Sequence, residues 1–333
     1  MTLAFPLLGS CSPPNKGLTL GDPPAKALKT SELAADADRR IATLAAQVPL
    51  SANSIFTNYG KGKNSQWASG WPIRLDLTGV CWSHKKAGTA ITPRHIVMAA
   101  HWGYGPGQKV IFHDRAGNPH VRHVEKRKAL NRIDGPGRSD ILVCLLDEPL
   151  PPEINTYRLL PPREDYTHTL PGSPAFITEQ ERRVFIHEIS RQSHGTLSFR
   201  KHPNLPDELY KPLVVGDSGN PSFLLVGGEP VLIETHTGGG PGSGPFYSAP
   251  KVFAALQEVV AELDPSYQIQ TVPLDPKRAP APPEKKKKTA VKTQRTVNSS
   301  TQNQTNETTP APSDEESGER IPRVRRVPTP PEE

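Results

Sequence analysis

Cysteine is scarce in this chain: only Cys11, Cys81 and Cys144 among 333 residues. Three cysteines allow at most one intramolecular disulfide and show no paired metal-ligand spacing, which argues against a disulfide framework and a zinc knuckle. Long apolar runs are also missing. No stretch approaches the roughly 18 consecutive apolar residues a membrane-spanning helix needs, so no membrane span is expected and the chain reads as soluble. A zincin motif is absent, because "HEISR" fails the His-Glu-X-X-His pattern. His113, His120 and His123 have no acidic or cysteine partner at ligand spacing, so they read as loop and strand-edge histidines, and no metal or cofactor is expected. Proline and glycine are plentiful instead, 38 and 26 residues, with much of the excess at the two ends. The core therefore belongs to the middle of the chain, and at 36.3 kDa there is enough of it to fold without staples.

Residues 1–50 form a leader. Its "SELAADADRRIATLAAQ" segment has Leu33, Ile41 and Leu44 spaced for one helical face, either loose or packed on the body. From 51 to 150 the texture changes to short β-type runs between turn residues: "IRLDLTGVCW", "GTAITPRHIVMAA", "QKVIFHD" and "DILVCLL". The proline-rich "EPLPPEINTYRLLPPRED" leaves little room for ladder pairing and reads as a connector. A second β-rich set fills 165–250, namely "PAFITEQ", "RVFIHEISRQ", "GTLSFR", "KPLVV", "SFLLVGG" and "PVLIETHT". Val252, Leu256, Val259, Val260 and Leu263 then repeat at helical spacing, predicting a helix over 250–263. From 275 to 333 the chain has almost no large apolar residue and is expected to be disordered.

That tail carries 12 Lys+Arg against 8 Asp+Glu from Pro276 onward, +4 of the chain's formal +6. The basic balance thus says little about the folded part, and no specific nucleic-acid binding is expected. A nucleic-acid binder acting through the tail would show steep salt dependence and survive loss of the β units. Asn298, Asn303 and Asn306 lie in glycosylation sequons, which matter only in a host that reads them. The segment ending at Cys11 looks like the end of a bacterial lipoprotein signal, though it lacks a basic stretch and its apolar run is short. Lipidation of Cys11, a clipped start and an ordinary flexible end all remain open, with export as the expected localisation.

The most informative string is "GDSGNP". A serine hydroxyl is a weak nucleophile near neutral pH and needs a positioned base and stabilisation of the oxyanion formed on attack at a carbonyl. Glycines beside Ser218 permit a sharp turn that aims the Gly216 and Ser218 amides at one point. The α/β-hydrolase elbow is set aside, since it needs glycine where this chain has Asn220, and a strand-like run follows where a helix should. The bland alternative is a polar residue in a tight turn. "ITPRHIVMAAHW" offers a base in His101, at the end of an apolar strand behind two small residues; the alternative is a surface or capped histidine, one of 11. An imidazole base needs an acceptor on its other nitrogen, and Asp140 in "RSDILVCLL" leads straight into a buried-type strand. Its rival, Asp134 in "RIDGPGR", reads as a turn residue.

These strings resemble the signatures of chymotrypsin/trypsin-like serine proteases. "AAHW" is similar to Thr-Ala-Ala-His-Cys, "SDILVCLL" to Asp-Ile-Ala-Leu-Leu, and "GDSGNP" to Gly-Asp-Ser-Gly-Gly-Pro, in the family's order His, Asp, Ser. The resemblance covers roughly residues 51 to 264. It implies an all-β fold of two antiparallel six-stranded β-barrels with a C-terminal helix, and a cleft between the barrels. By the same resemblance His101 is base then acid, Asp140 its orienter and Ser218 the nucleophile, with Gly216 and Ser218 N–H as the oxyanion hole. It also implies a substrate pocket at Pro212, six before the serine, and at Thr235, His236 and Thr237. The implied partner is a protein or peptide substrate; oligomeric state stays open.

The chain departs from that pattern in three places. Trp102 stands where a bridging cysteine usually follows the histidine, so Cys81 and Cys144 are expected to be free and partly buried. Pro212 replaces the aspartate that selects Arg or Lys, which speaks against trypsin-like cleavage. Asp217 matches an aspartate that pairs with a newly released N-terminus in activated members, yet no convincing activation sequence is present: Arg40-Ile41 is a possible cut, or Asp217 is satisfied internally. The alternative function is a catalytically inactive protease-like domain acting as a binding module.

Overall fold

The computed structural model describes residues 27–83, 86–131 and 138–275. Cys11, Asp134, the three sequons and the tail lie outside the described residues. Helix α1 (Leu33–Ala45) is followed by a small pair, β1 (Phe56–Asn58) with β2 (Gln66–Trp67). Next come β3 (Val80–Ser83), β4 (Lys86–Thr92), β5 (His95–Ala99), β6 (Lys109–His113), β7 (Pro119–Asn131) and β8 (Arg138–Leu146). After a short α2 (Tyr166–Thr169) the chain forms β9 (Pro174–Thr178), β10 (Val184–Ser193), β11 (Thr196–Lys201), β12 (Pro221–Val226), β13 (Glu229–Thr235) and β14 (Ser243–Pro245). It then forms α3 (Pro250–Leu263), the helix expected there.

The strands make two six-stranded antiparallel sheets, ordered β3-β4-β5-β8-β7-β6 and β13-β12-β9-β10-β11-β14. The first curls until β3 lies beside β6, and the second is a half-barrel. This architecture is compatible with a double barrel.

Period-2 alternation explains why β5 and β8 read as unbroken apolar runs. Ile96, Met98, Leu142, Cys144 and Leu146 fill the interior of the first sheet. Val97, Ile141 and Val143, on the opposite face, join a larger core shared with the second sheet, the connector and α1. Cys81 and Cys144 are free and fully buried in the first sheet, and burial pushes both thiols up to about 12.

Two segments expected as strands are not. "IRL" at the start of the first β run is part of a 3-10 turn, Trp71–Leu75, entered from Gly70 with proline in its first turn and closed by Asp76 at φ 46°. "KPLVV" makes only the isolated bridge Leu213↔Gly240 and then turns at Gly216, whose φ is +103°.

Helix α1 is packed on the body. Leu33, Ala37, Ile41 and Leu44 are buried against β12 and β9, each large side chain contributing roughly 1.5–3 kcal/mol. Arg40 and Ile41 are both buried inside the helix, and Arg40 Nε donates to Asp36 at 2.9 Å. The peptide bond offered by the sequence as a cut site is thus held in helical geometry.

Candidate functional site

Three strands converge on one cleft. His101 sits in a single 3-10 turn, Ala100–Trp102, that continues directly from β5. Strand β8 pairs with β5 in a register that sets Ala99 opposite Ile141, so the next step brings Asp140 level with Ala100 and beside His101. Ser218 lies in the tight turn that feeds β12, in the interior of the second sheet.

Asp140 uses both carboxylate oxygens on one residue: Oδ1 accepts the His101 main-chain N–H at 2.9 Å and Oδ2 lies 2.6 Å from Nδ1. An ionised carboxylate only accepts, so Nδ1 carries the proton and Nε2 presents a lone pair. Nε2 lies 2.9 Å from Ser218 Oγ, which then donates to it. The arrangement can take a proton from the serine hydroxyl and stabilise the resulting imidazolium.

The two sheets touch at this turn through glycine. Gly219 has φ +82°, and a Cβ there would lie 3.1 Å from Ala87 O on β4 and 3.5 Å from Ala99 N. Asn220, fully buried, ties the turn across the sheets: Oδ1 accepts from Trp82 Nε1 at 3.1 Å, while Nδ2 donates to Asp217 O at 3.1 Å. The main chain adds Gly219 N–H to His236 O at 2.9 Å and His236 N–H to Asn220 O at 3.0 Å.

Asp217 is 1 % exposed and is satisfied internally. Its Oδ2 accepts from Val214 N at 2.8 Å and its Oδ1 from Gln180 N at 3.2 Å. Gln180 Nε2 also donates to Val215 O at 3.1 Å. Among the described residues no group accepts from the N–H of Gly216 or of Ser218, so both stay available beside the hydroxyl.

Beside these residues is a cleft of about 520 Å³ whose lining includes Leu213, Val214, Val215, His236, Thr237, Gly238 and Gly239. Of the four pocket residues expected from sequence, His236 and Thr237 line it. Thr235 does not: it is fully buried, with Oγ1 2.6 Å from the Tyr247 hydroxyl. Pro212 is exposed and outside the lining, because the Leu213–Gly240 bridge closes the cleft one residue later.

His236 is 2 % exposed, and both its nitrogens face protein: Nε2 is 3.1 Å from Thr178 O and Nδ1 2.9 Å from Glu234 Oε1. Burial alone would depress its pKa, but the Glu234 carboxylate overrides that and raises it. Glu234 is also buried and accepts from the Ser222 hydroxyl.

The histidines set aside as ligands are strand residues: His113 ends β6, and His120 and His123 lie on β7 beside Asp114 and Asp147. Among the described residues no group of three His, Cys, Asp or Glu side chains could hold a metal ion. No described helix is long and apolar enough to cross a membrane. No protein-family model matches the chain, and no curated protein sequence matches it.

Proposed function

We propose that the protein is a serine endopeptidase of the double-barrel, chymotrypsin-like kind, acting through an acyl-enzyme. The reading rests on one observation: Ser218 Oγ, His101 Nε2, His101 Nδ1 and Asp140 Oδ2 form an unbroken chain of 2.9 Å and 2.6 Å contacts at the edge of a cleft. Ser218 Oγ attacks the substrate carbonyl carbon as its proton passes to Nε2. The carbonyl oxygen becomes an oxyanion facing the Gly216 and Ser218 N–H groups. The imidazolium, held by Asp140, gives its proton to the leaving amine, and water then repeats the sequence on the acyl-enzyme.

A fluorophosphonate probe tests this on the purified full chain. The parent should label, and Ser218→Ala and His101→Ala should not, with peptidase kcat falling by about 10⁶ in each. An inert parent, or labelling that survives Ser218→Ala, would overturn the assignment, and an inert parent would favour a protease-like binding module.

A further inference from the structure

We propose that Gln180 is a positioning residue that orients the Gly216 N–H toward the developing oxyanion, so that the site is assembled without a cut in the chain. The proposal rests on the acyl-transfer reading above. Gly216 has φ +103°, and glycine rotates freely enough for the Val215–Gly216 peptide to sit either way up. One orientation aims an N–H at the reacting carbonyl oxygen, and the other aims a carbonyl at it and repels the charge. The glycine that makes a donor possible also makes it reversible, so something must hold the peptide.

Gln180 does so in two ways. Its Nε2 donates to Val215 O at 3.1 Å. In a trans peptide the C=O and N–H point in opposite directions, so capturing the Val215 carbonyl turns the Gly216 N–H away from Gln180, to the side where Val215 and Ser218 line the cleft. Its own main-chain N–H donates to Asp217 Oδ1 at 3.2 Å, while Val214 N–H fills Oδ2 at 2.8 Å. Asp217, 1 % exposed, therefore has an uncharged donor from this same chain on each of its oxygens, with the chain uncut. The Gln180 carboxamide also packs on Gly216 so closely that a Cβ there would collide with it.

Gln180→Glu keeps the side chain's size and the main-chain bond to Asp217 but sets an acceptor against the Val215 carbonyl; Gln180→Ala removes the contact. Both should lower kcat by about 10- to 100-fold, less than outright loss of an oxyanion donor, with KM within about twofold. The Ki of a peptidyl boronate, which mimics the tetrahedral adduct, should rise by the same factor as kcat falls. Peptide affinity in a Ser218→Ala background and the Tm should stay near the parent's. A merely structural Gln180 would instead lower kcat, affinity and Tm together, which overturns the proposal, as would unchanged kcat. If the parent labels with fluorophosphonate and the Gln180 variants turn over like it, only the role of Gln180 fails. If the parent does not label, both readings fall.

Discussion

Asn220 carries more of the site than its place after a serine turn suggests. Its carboxamide holds the Trp82 indole N–H on one side and the Asp217 carbonyl on the other, both at 3.1 Å and out of contact with water. Removing it strands the buried Trp82 donor, a cost of about 1–3 kcal/mol, while Asp217 O keeps the Asn220 main-chain N–H at 3.1 Å. Asn220→Ala should therefore lower the urea midpoint and, on the peptidase reading, kcat with it, since the same turn aims Ser218; parent-like values in both would contradict the contacts. His101, Asp140 and Ser218 were legible in the sequence because each sits in a short string that states its own backbone needs: small residues before the histidine, an apolar strand after the aspartate, glycines around the serine. Asn220 and Gln180 were not legible. Their partners lie 138 and 37 residues away, and their roles depend on how separate strands meet. Thr235 shows a related limit. It is the last residue of β13, and without the tertiary packing the sequence could not say that it turns inward to Tyr247 while His236 and Thr237, past the strand's end, line the cleft.

Among the elements, α1 and the cleft walls each carry a consequence. The apolar stripe that predicted α1 left open what it covers, because periodicity identifies a buried face and not the surface it meets. That surface is β12, the strand fed by the Ser218 turn, together with β9. Leu44→Ala should cost about 2–5 kcal/mol, and a smaller loss would mean the helix is peripheral. Brief trypsin treatment of the native chain should leave Arg40–Ile41 intact, because cleavage there requires α1 to unwind and its Asp36–Arg40 pair to open; mass spectrometry of a chain starting at Ile41 would refute this. Apart from the Thr237 hydroxyl, the cleft walls are aliphatic or glycine or carry groups already engaged, Asp217 by two N–H groups and His236 by Glu234 and Thr178 O. Among the described residues the walls offer no unpaired charge to a guanidinium or a carboxylate entering from a substrate. On the peptidase reading, peptide anilides with Ala, Val or Leu before the scissile bond should exceed those with Arg or Glu by about 10-fold or more in kcat/KM. A preference for Arg or Glu would mean that the wall was misassigned.

At the scale of the whole molecule, each sheet holds a buried histidine pushed down to about 4, and both shape how the fold responds to acid, alongside His113 of β6, which burial also lowers. His95, on β5, meets Thr92 Oγ1 through Nδ1 at 2.7 Å, and His187, on β10, meets Pro241 O at 3.0 Å. Both are fully buried, and neither Nε2 has a partner among the described residues. Burial depresses both to about 4; for His95 the nearby Asp264 opposes the shift without reversing it. In the unfolded chain each takes up its proton near pH 6.5. Between about 6.5 and 4 the unfolded state therefore binds more protons than the folded one, so stability is full above that window and is lost as pH falls through it. Each group contributes up to about 1.4 kcal/mol per pH unit there. His236 runs the other way, since Glu234 raises it: its contribution is present below the ordinary histidine range and fades as pH rises through the raised value. Urea unfolding at a series of pH values should thus show a steep acid limb, and His95→Gln and His187→Gln should each flatten it by about one proton's worth of slope. If both variants keep the parent's slope, the acid sensitivity of the fold comes from His113 or its carboxylates instead, and His95 and His187 are bystanders in the core.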